Sequence, residues 1–151
     1  MPPSKPESFP EIGDLLCFAI YSAGHAFNRV YKPLLDELGL TYPQYLVMVS
    51  LWAEDDQTVG SLGETLFLES NTLTPLLKRL ETSSYLSRSR DPADERQVRV
   101  RLTRAGRVLQ AKARNIPGCI LETSGLSPTA ARKLQTEIAT LRQSLRKSGT
   151  E

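Results

Sequence analysis

The chain has 151 residues, 40% of them hydrophobic, with a formal net charge of +2, which suits one cored domain or one domain with dimerising extensions. No apolar run approaches the ~18 residues of a membrane span, and the opening Met1-Pro2-Pro3-Ser4-Lys5-Pro6 has no apolar signal core, so neither membrane insertion nor export is expected and the reading is a cytoplasmic protein. Two cysteines, Cys17 and Cys119, are too few for a disulfide scaffold and are expected to be free thiols.

In chain order, residues 1–10 read as an irregular Pro-rich arm. Residues 11–30 read as a helix, because Ile12, Leu16, Ile20, Ala23, Phe27 and Val30 recur at steps of three or four. Pro33 is expected to kink or break it, with a short helical turn at 34–38 ended by Gly39. Thr41 caps a second helix over 42–53, with Pro43 in its permissive first turn, and the acidic loop Glu54-Asp55-Asp56 follows. Two short helices are expected at 59–67 and 71–84. The second places Leu73, Leu76, Leu77 and Leu80 on one face and Thr72, Thr74, Lys78, Arg79 and Thr82 on the other. Ser70, Asn71 and Thr72 are its candidate caps, and the depth of Pro75 leaves the start open.

Residues 85–90 and 97–102 read as strands. Val98, Val100 and Leu102 alternate with Arg99 and Arg101, the period of a half-buried strand, and residues 91–95 form a polar turn between the two. A helix over 104–115 is interrupted by Pro117-Gly118, with Cys119 after that break. Ser127-Pro128 opens a last helix with Leu134, Ile138, Leu141 and Leu145 as its stripe. Charge is segregated along this order: residues 78–114 hold eleven Lys/Arg against four Asp/Glu, and residues 1–77 hold three against ten. Such a basic block in a near-neutral chain is the footprint of polyanion binding.

Two short helices followed by a basic hairpin make a winged helix-turn-helix. The fold class expected is therefore mainly α with a small β-hairpin wing. Residues 41–103 form the DNA-binding region, and residues 11–40 and 104–151 are helical dimerisation segments. A helix fits the major groove and shows polar and basic side chains to bases and phosphates; a hairpin with arginine near its tip reaches the narrower, more negative minor groove. The candidate DNA contacts are Ser70, Thr72, Thr74, Lys78, Arg79, Arg88, Arg90, Asp94 and Arg96.

Three stretches carry a resemblance: Leu73-Thr74-Pro75-Leu76-Leu77-Lys78-Arg79-Leu80-Glu81, Asp94-Glu95-Arg96, and Val100-Arg101-Leu102-Thr103-Arg104-Ala105-Gly106. Here the chain resembles the MarR family of winged-helix repressors over nearly its whole length beyond the first ten residues. The resemblance implies a homodimer of triangular outline joined by its terminal helices and bound to a pseudo-palindromic double-stranded DNA operator. It makes the helix at 71–84 the recognition helix and Arg96 the wing arginine, positioned by Asp94. Ser83-Ser84 departs from the pattern, since a glycine is common there.

The N-terminal half narrows the resemblance. Leu16-Cys17-Phe18, Tyr31-Lys32-Pro33-Leu34-Leu35 and Thr41-Tyr42-Pro43-Gln44-Tyr45 look like the organic-hydroperoxide-sensing OhrR branch. In that branch the N-terminal cysteine is peroxidatic and two tyrosines hydrogen-bond its sulfur; the matching positions are Cys17, Tyr31 and Tyr42. The chemistry agrees, because thiolate is the reactive form, and the first turns of a helix favour an anion. Phe18 and Phe27 suit an alkyl or lipid hydroperoxide better than hydrogen peroxide. Cys17 and Tyr31 lie 14 positions apart, roughly 21 Å along a straight helix, so within one chain they do not touch unless the helix folds back, whereas antiparallel first helices of two subunits can bring them together, as in the resembled branch. Cys119 has two readings: a small buried hydrophobe, or, as in two-cysteine members of the branch, a resolving thiol that captures the Cys17 sulfenic acid as an intersubunit disulfide.

His25 is the only histidine and no ligand set is spaced to converge on a metal, so neither metal nor other cofactor is expected. Two rival functions remain: a MarR-type repressor induced by a bound phenolic or other small ligand, with Cys17 incidental, and a thiol peroxidase. The basic wing argues against an enzyme, because peroxidase chemistry does not require one.

Overall fold

A computed structural model describes residues 8–149, so most of the expected N-terminal arm, residues 1–7, lies outside the described residues. The described chain is mainly helical with one three-stranded antiparallel sheet. It divides into two compact units, Met1–Lys112 and Ala113–Glu151.

In the first unit a single 3-10 turn, Ile12–Asp14, precedes helix α1, Leu16–Asp36. The helix thus starts later than its apolar stripe indicates, because Leu15 is extended and serves as the N-cap. Pro33 neither breaks nor ends it. A proline removes one backbone donor, and only the last turn lies beyond it. That turn is held by the burial of Leu35, the Leu40 N–Leu35 O bond of 3.1 Å and Gly39 at φ +68°, a left-handed C-terminal closure that favours glycine.

Helix α2, Tyr42–Ala53, starts as its sequence indicates. The Thr41 hydroxyl accepts from Gln44 N (3.3 Å) and the Gln44 side chain accepts from Thr41 N (2.9 Å), a reciprocal capping box. Strand β1, Gln57–Thr58, leads into helix α3, Val59–Leu66, and then helix α4, Ser70–Thr82. Glu69 is the N-cap of α4 and makes no side-chain cap bond, so none of Ser70, Asn71 and Thr72 caps it. Pro75 is accommodated inside the helix.

Strands β2, Leu86–Arg90, and β3, Val98–Leu102, form the expected hairpin, paired from Leu86↔Leu102 to Arg90↔Val98. The sheet is wider than a hairpin: β3 is central, and β1 pairs on its other edge through Gln57↔Val100 and Thr58↔Arg99. Two residues carry no readable alternation, and what places β1 is tertiary. The buried Gln57 side chain donates to Ser50 O (3.1 Å) and Glu54 O (2.6 Å) and accepts from the Ser61 hydroxyl (3.3 Å). The core of this unit is Val47, Met48, Leu51, Leu62, Leu73, Leu77, Leu80, Leu86 and Val100, all fully buried.

Helix α5, Arg104–Ala113, closes the first unit at its C-terminal end. In the second unit, helix α6, Ile116–Ser124, occupies a stretch whose Pro-Gly pair indicates an interruption. Pro117 sits in its first turn, where a missing N–H costs nothing. Gly118 and Cys119 are helical, and Cys119 N donates to Asn115 O at 3.1 Å. Helix α7, Pro128–Ser148, is capped by the Ser127 hydroxyl accepting from Ala130 N at 3.1 Å, as the Ser-Pro pair indicates. Its stripe residues Leu134, Ile138 and Leu145 are exposed. No helix among the described residues is long and apolar enough to cross a membrane.

Candidate redox and nucleic-acid sites

Cys17 is the second residue of α1, in its first turn and exposed. Around it in sequence, Leu16, Phe18 and Ile20 also remain exposed. Tyr31 is on the same helix, roughly 21 Å further along at 1.5 Å per residue, and α1 runs unbroken between them. One chain therefore does not bring Cys17 to Tyr31.

It does bring Tyr31 to Tyr42, with ring centroids 4.8 Å apart. Tyr45, to which the sequence assigns no role, completes the cluster at 5.8 Å from Tyr31 and 6.5 Å from Tyr42. The signal for it is the i, i+3 spacing of Tyr42 and Tyr45, which puts two tyrosines on one face of α2. Burial, reinforced by the neighbouring Tyr42 and Tyr45, pushes the Tyr31 phenol up to about 12; burial also raises Tyr42 and Tyr45. All three phenols therefore keep their O–H donors throughout the physiological range.

Cys119, in the second unit, is half-buried as the fourth residue of α6. Its carbonyl accepts from the Thr123 hydroxyl at 2.8 Å. His25 packs edge-on against Tyr21 with centroids 4.5 Å apart.

The basic residues fall into two groups. On α4, burial of Leu73, Leu77 and Leu80 turns Ser70, Thr72, Thr74, Lys78 and Arg79 outward and exposed. At the hairpin turn, Asp94 Oδ1 accepts from both the backbone N (3.1 Å) and Nε (3.2 Å) of Arg96, whose side chain is 91% exposed. The carboxylate thus fixes the base of a side chain that projects into solvent. Arg90 is exposed and donates to Glu95 O at 3.0 Å.

Arg88 is differently placed from the other candidates. Its Nη2 pairs with Glu81 Oε1 at 3.2 Å, its backbone N donates to Glu81 Oε2 at 3.0 Å, and its Nε is buried without a partner. It ties β2 to α4.

The root of the wing is neutralised by the acidic loop. Asp56 meets Arg99 at 2.7 Å and Arg101 at 3.1 Å, Asp91 meets Arg99 at 3.1 Å, and Asp55 Oδ1 accepts from Leu102 N at 2.8 Å. The Arg99 hydrogen bond, with Arg101 nearby, holds Asp56 below the usual carboxylate range. The Ala93 amide, then Arg99, lowers Asp91, and the Arg88 hydrogen bonds lower Glu81. Lys78 and Arg79 on the outward face of α4 lie outside these pairs, and at the hairpin turn Arg96 is paired at its base with Asp94 while its side chain stays exposed. Sequence alone shows only a loop at Glu54-Asp55-Asp56, because the pairing depends on β1 lying beside β3.

Residues 29–112 match the SarA/Rot family of transcriptional regulators. The HTH-type transcriptional regulator TtmR of Methylorubrum extorquens is 48% identical over 130 residues, which cover 86% of this chain and 67% of that protein. The organic hydroperoxide resistance transcriptional regulator of Bacillus subtilis is 44% identical over 130 residues, covering 86% of this chain and 88% of that protein. Among solved structures, AbfR of Staphylococcus epidermidis is similar in two states. Reduced and bound to DNA it has a TM-score of 0.77 at 36% identity, covering 93% of this chain and 96% of that chain. In a disulfide form the TM-score is 0.61 at 37% identity, covering 93% of each.

Proposed function

The chain belongs to the SarA/MarR family of winged-helix transcriptional regulators, in its OhrR branch, and from that premise we propose that it is a dimeric cytoplasmic repressor that releases its operator when Cys17 is oxidised by an organic hydroperoxide. The observation that carries this reading is the Tyr31–Tyr42 pair, 4.8 Å between rings, on the same unit as an exposed Cys17. Two neutral phenols offer O–H donors to one thiolate, and since α1 separates Cys17 from Tyr31 along its length, the thiolate they receive comes from a second subunit.

The chemistry balances with the peroxide as the oxidant. The Cys17 thiolate attacks one peroxide oxygen and an S–O bond forms as O–O breaks. The departing alkoxide takes a proton and leaves as the alcohol, and sulfur becomes the sulfenic acid. If Cys119 of the other subunit resolves it, that thiolate attacks the sulfenic sulfur, S–S forms and the hydroxyl leaves as water. In B. subtilis the relative is named for organic hydroperoxide resistance, and AbfR occurs in a disulfide form; both support the redox reading.

On DNA, the face of α4 with Ser70, Thr72, Thr74, Lys78 and Arg79 enters the major groove, and Arg96, braced by Asp94, enters the minor groove beside it. Arg90 supplies a flanking phosphate contact, and Arg88 holds the wing on α4 through Glu81.

The test uses a duplex selected from a random pool by the reduced protein. Treatment with tert-butyl hydroperoxide should abolish binding by wild type and leave Cys17→Ser bound. A Cys17→Ser variant still released by the peroxide, or a wild type that stays bound, would sink the redox reading.

A further inference from the structure

We propose that Tyr45 and Trp52 are positioning residues that carry a shift of the Tyr31–Tyr42 pair to the root of the wing, with the Trp52 indole pinned on the Gly106 carbonyl. The inference rests on the redox reading above and names the coupling that reading leaves open. A thiol reaction at α1 must change the DNA-reading elements, and no residue at the sensing end touches DNA in that reading.

The contacts form one continuous line inside the first unit. Tyr45 is 6% exposed. One side of its ring meets Tyr31 and Tyr42, at 5.8 Å and 6.5 Å between centroids. It also meets the Trp52 ring edge-on, at 6.3 Å and 69°. Tyr45 and Trp52 are seven positions apart on α2, two helical turns, so they share a face. The Trp52 Nε1–H then donates to Gly106 O at 2.9 Å, a partner 54 positions away.

Gly106 is where the chain leaves the wing. Its N–H donates to the Thr103 hydroxyl (3.1 Å), that hydroxyl donates to Ser84 O (2.6 Å), and Thr103 N donates to Tyr85 O (3.1 Å). A Cβ on Gly106 would overlap the Tyr85 carbonyl, so the first turn of α5 lies directly against the residue that precedes β2. Ser84–Leu86 enters the wing and Leu102–Gly106 leaves it; Trp52 holds the Gly106 carbonyl, and the Gly106 backbone in turn abuts Tyr85. Tyr45 is buried and in ring contact with Tyr31, Tyr42 and Trp52, so its position is coupled to theirs. A displaced Tyr31 or Tyr42 ring must therefore push Tyr45, and Trp52 passes the displacement on through a directional bond rather than a slippery apolar contact.

Trp52 is the only tryptophan, so its fluorescence reads this link in the unmodified protein. With tert-butyl hydroperoxide in a stopped-flow instrument, Trp52 emission should change at the rate at which labelled DNA is released. Trp52→Phe keeps an aromatic ring but loses the donor. Its ratio of reduced to oxidised DNA affinity should fall about threefold to tenfold below wild type, the worth of one neutral hydrogen bond. Tyr45→Phe, which preserves the ring contacts, should keep the wild-type ratio, and Tyr45→Leu should lose it. A wild type that releases DNA with no change in Trp52 emission overturns the relay, as does a Trp52→Phe variant with the wild-type ratio. A wild type that binds DNA equally before and after oxidation overturns the redox reading and the relay together.

Discussion

Ser84 shows how much one backbone conformation decides. It sits at φ +66°, with Tyr85 N donating to Leu80 O at 3.0 Å and Ser84 N donating to Glu81 O at 2.9 Å, the closure that ends α4 and usually falls to glycine. A side chain in the left-handed region is strained. Ser84→Gly should therefore stabilise the fold by about 0.5–1 kcal/mol, tempered by the greater freedom of glycine in the unfolded chain, read as a raised urea midpoint at constant slope. At the tyrosines, Tyr31→Phe and Tyr42→Phe each remove one O–H and little else. Each should slow the loss of free Cys17 thiol under organic hydroperoxide and leave DNA affinity of the reduced protein within about twofold, because neither side chain lies on the DNA-reading face. Equal oxidation rates in wild type and both variants would remove the tyrosines from the sensor. The Tyr31 phenol is raised from 10.0 to about 12. The folded state holds that proton more tightly than the unfolded state, so this stabilisation is complete below pH 10 and is lost as pH rises toward 12.

At the scale of elements, the relevant object is α4 with its wing. The wing is held by Asp56, Asp91 and Glu81, each lowered below its ordinary value by a hydrogen bond: from Arg99, from the Ala93 amide and from Arg88 respectively. Folded carboxylates that release protons more readily than unfolded ones stabilise at pH values above the unfolded pKa, and that contribution disappears as pH falls through the folded values. The wing should therefore loosen below about pH 4. Backbone amides of 98–102 should lose hydrogen-exchange protection on acidification before those of 47–51 in α2, where Val47, Met48 and Leu51 are buried; simultaneous loss would contradict this. On the outward side, Arg79→Ala and Arg96→Ala should each weaken DNA binding. Each should also lower the salt slope by about one unit for every phosphate no longer neutralised, with thermal stability retained. Affinity unchanged in both variants would withdraw α4 and the wing from the DNA.

For the whole molecule, the proposed switch needs two subunits. Leu16, Tyr21 and Phe27 on α1, and Leu134, Ile138 and Leu145 on α7, are large apolar side chains left exposed in one chain, as dimerising helices require. Hydroperoxide treatment should give a dimer joined through Cys17 of one subunit and Cys119 of the other, visible on a non-reducing gel and absent in Cys119→Ser. Cys119 lies within α6 rather than after a loose Pro-Gly joint. A disulfide needs ~4.4–6.8 Å between Cα atoms, so any movement that brings Cys119 to the partner thiol has to carry or unwind α6 rather than a loose joint. A covalent dimer that persists in Cys119→Ser would refute the pairing; wild type with no such band would leave a sulfenic acid or a mixed disulfide with a small thiol as the signal.

Sequence by itself determined the local features. The Thr41 cap, the Ser127-Pro128 start, the leucine face of α4 and the alternation of β3 are each written in neighbouring residues, and each forms as those residues indicate. Segregation of basic charge into residues 78–114 is equally plain. Tertiary structure decided what depends on residues far apart. Asp55 and Asp56 lie 43 or more positions from the wing groups they hold, so a loop in sequence became the wing's anchor once β1 paired with β3. The neutralisation of Arg99 and Arg101 by Asp56 followed from the same pairing, since charge is counted along the chain but neutralised across space. Pro33 and Pro117 look like interruptions in sequence and are not, for a related reason. A proline removes one hydrogen bond locally, and whether the helix survives depends on its position in the turn and on the burial that holds the rest, which its own residue type does not state.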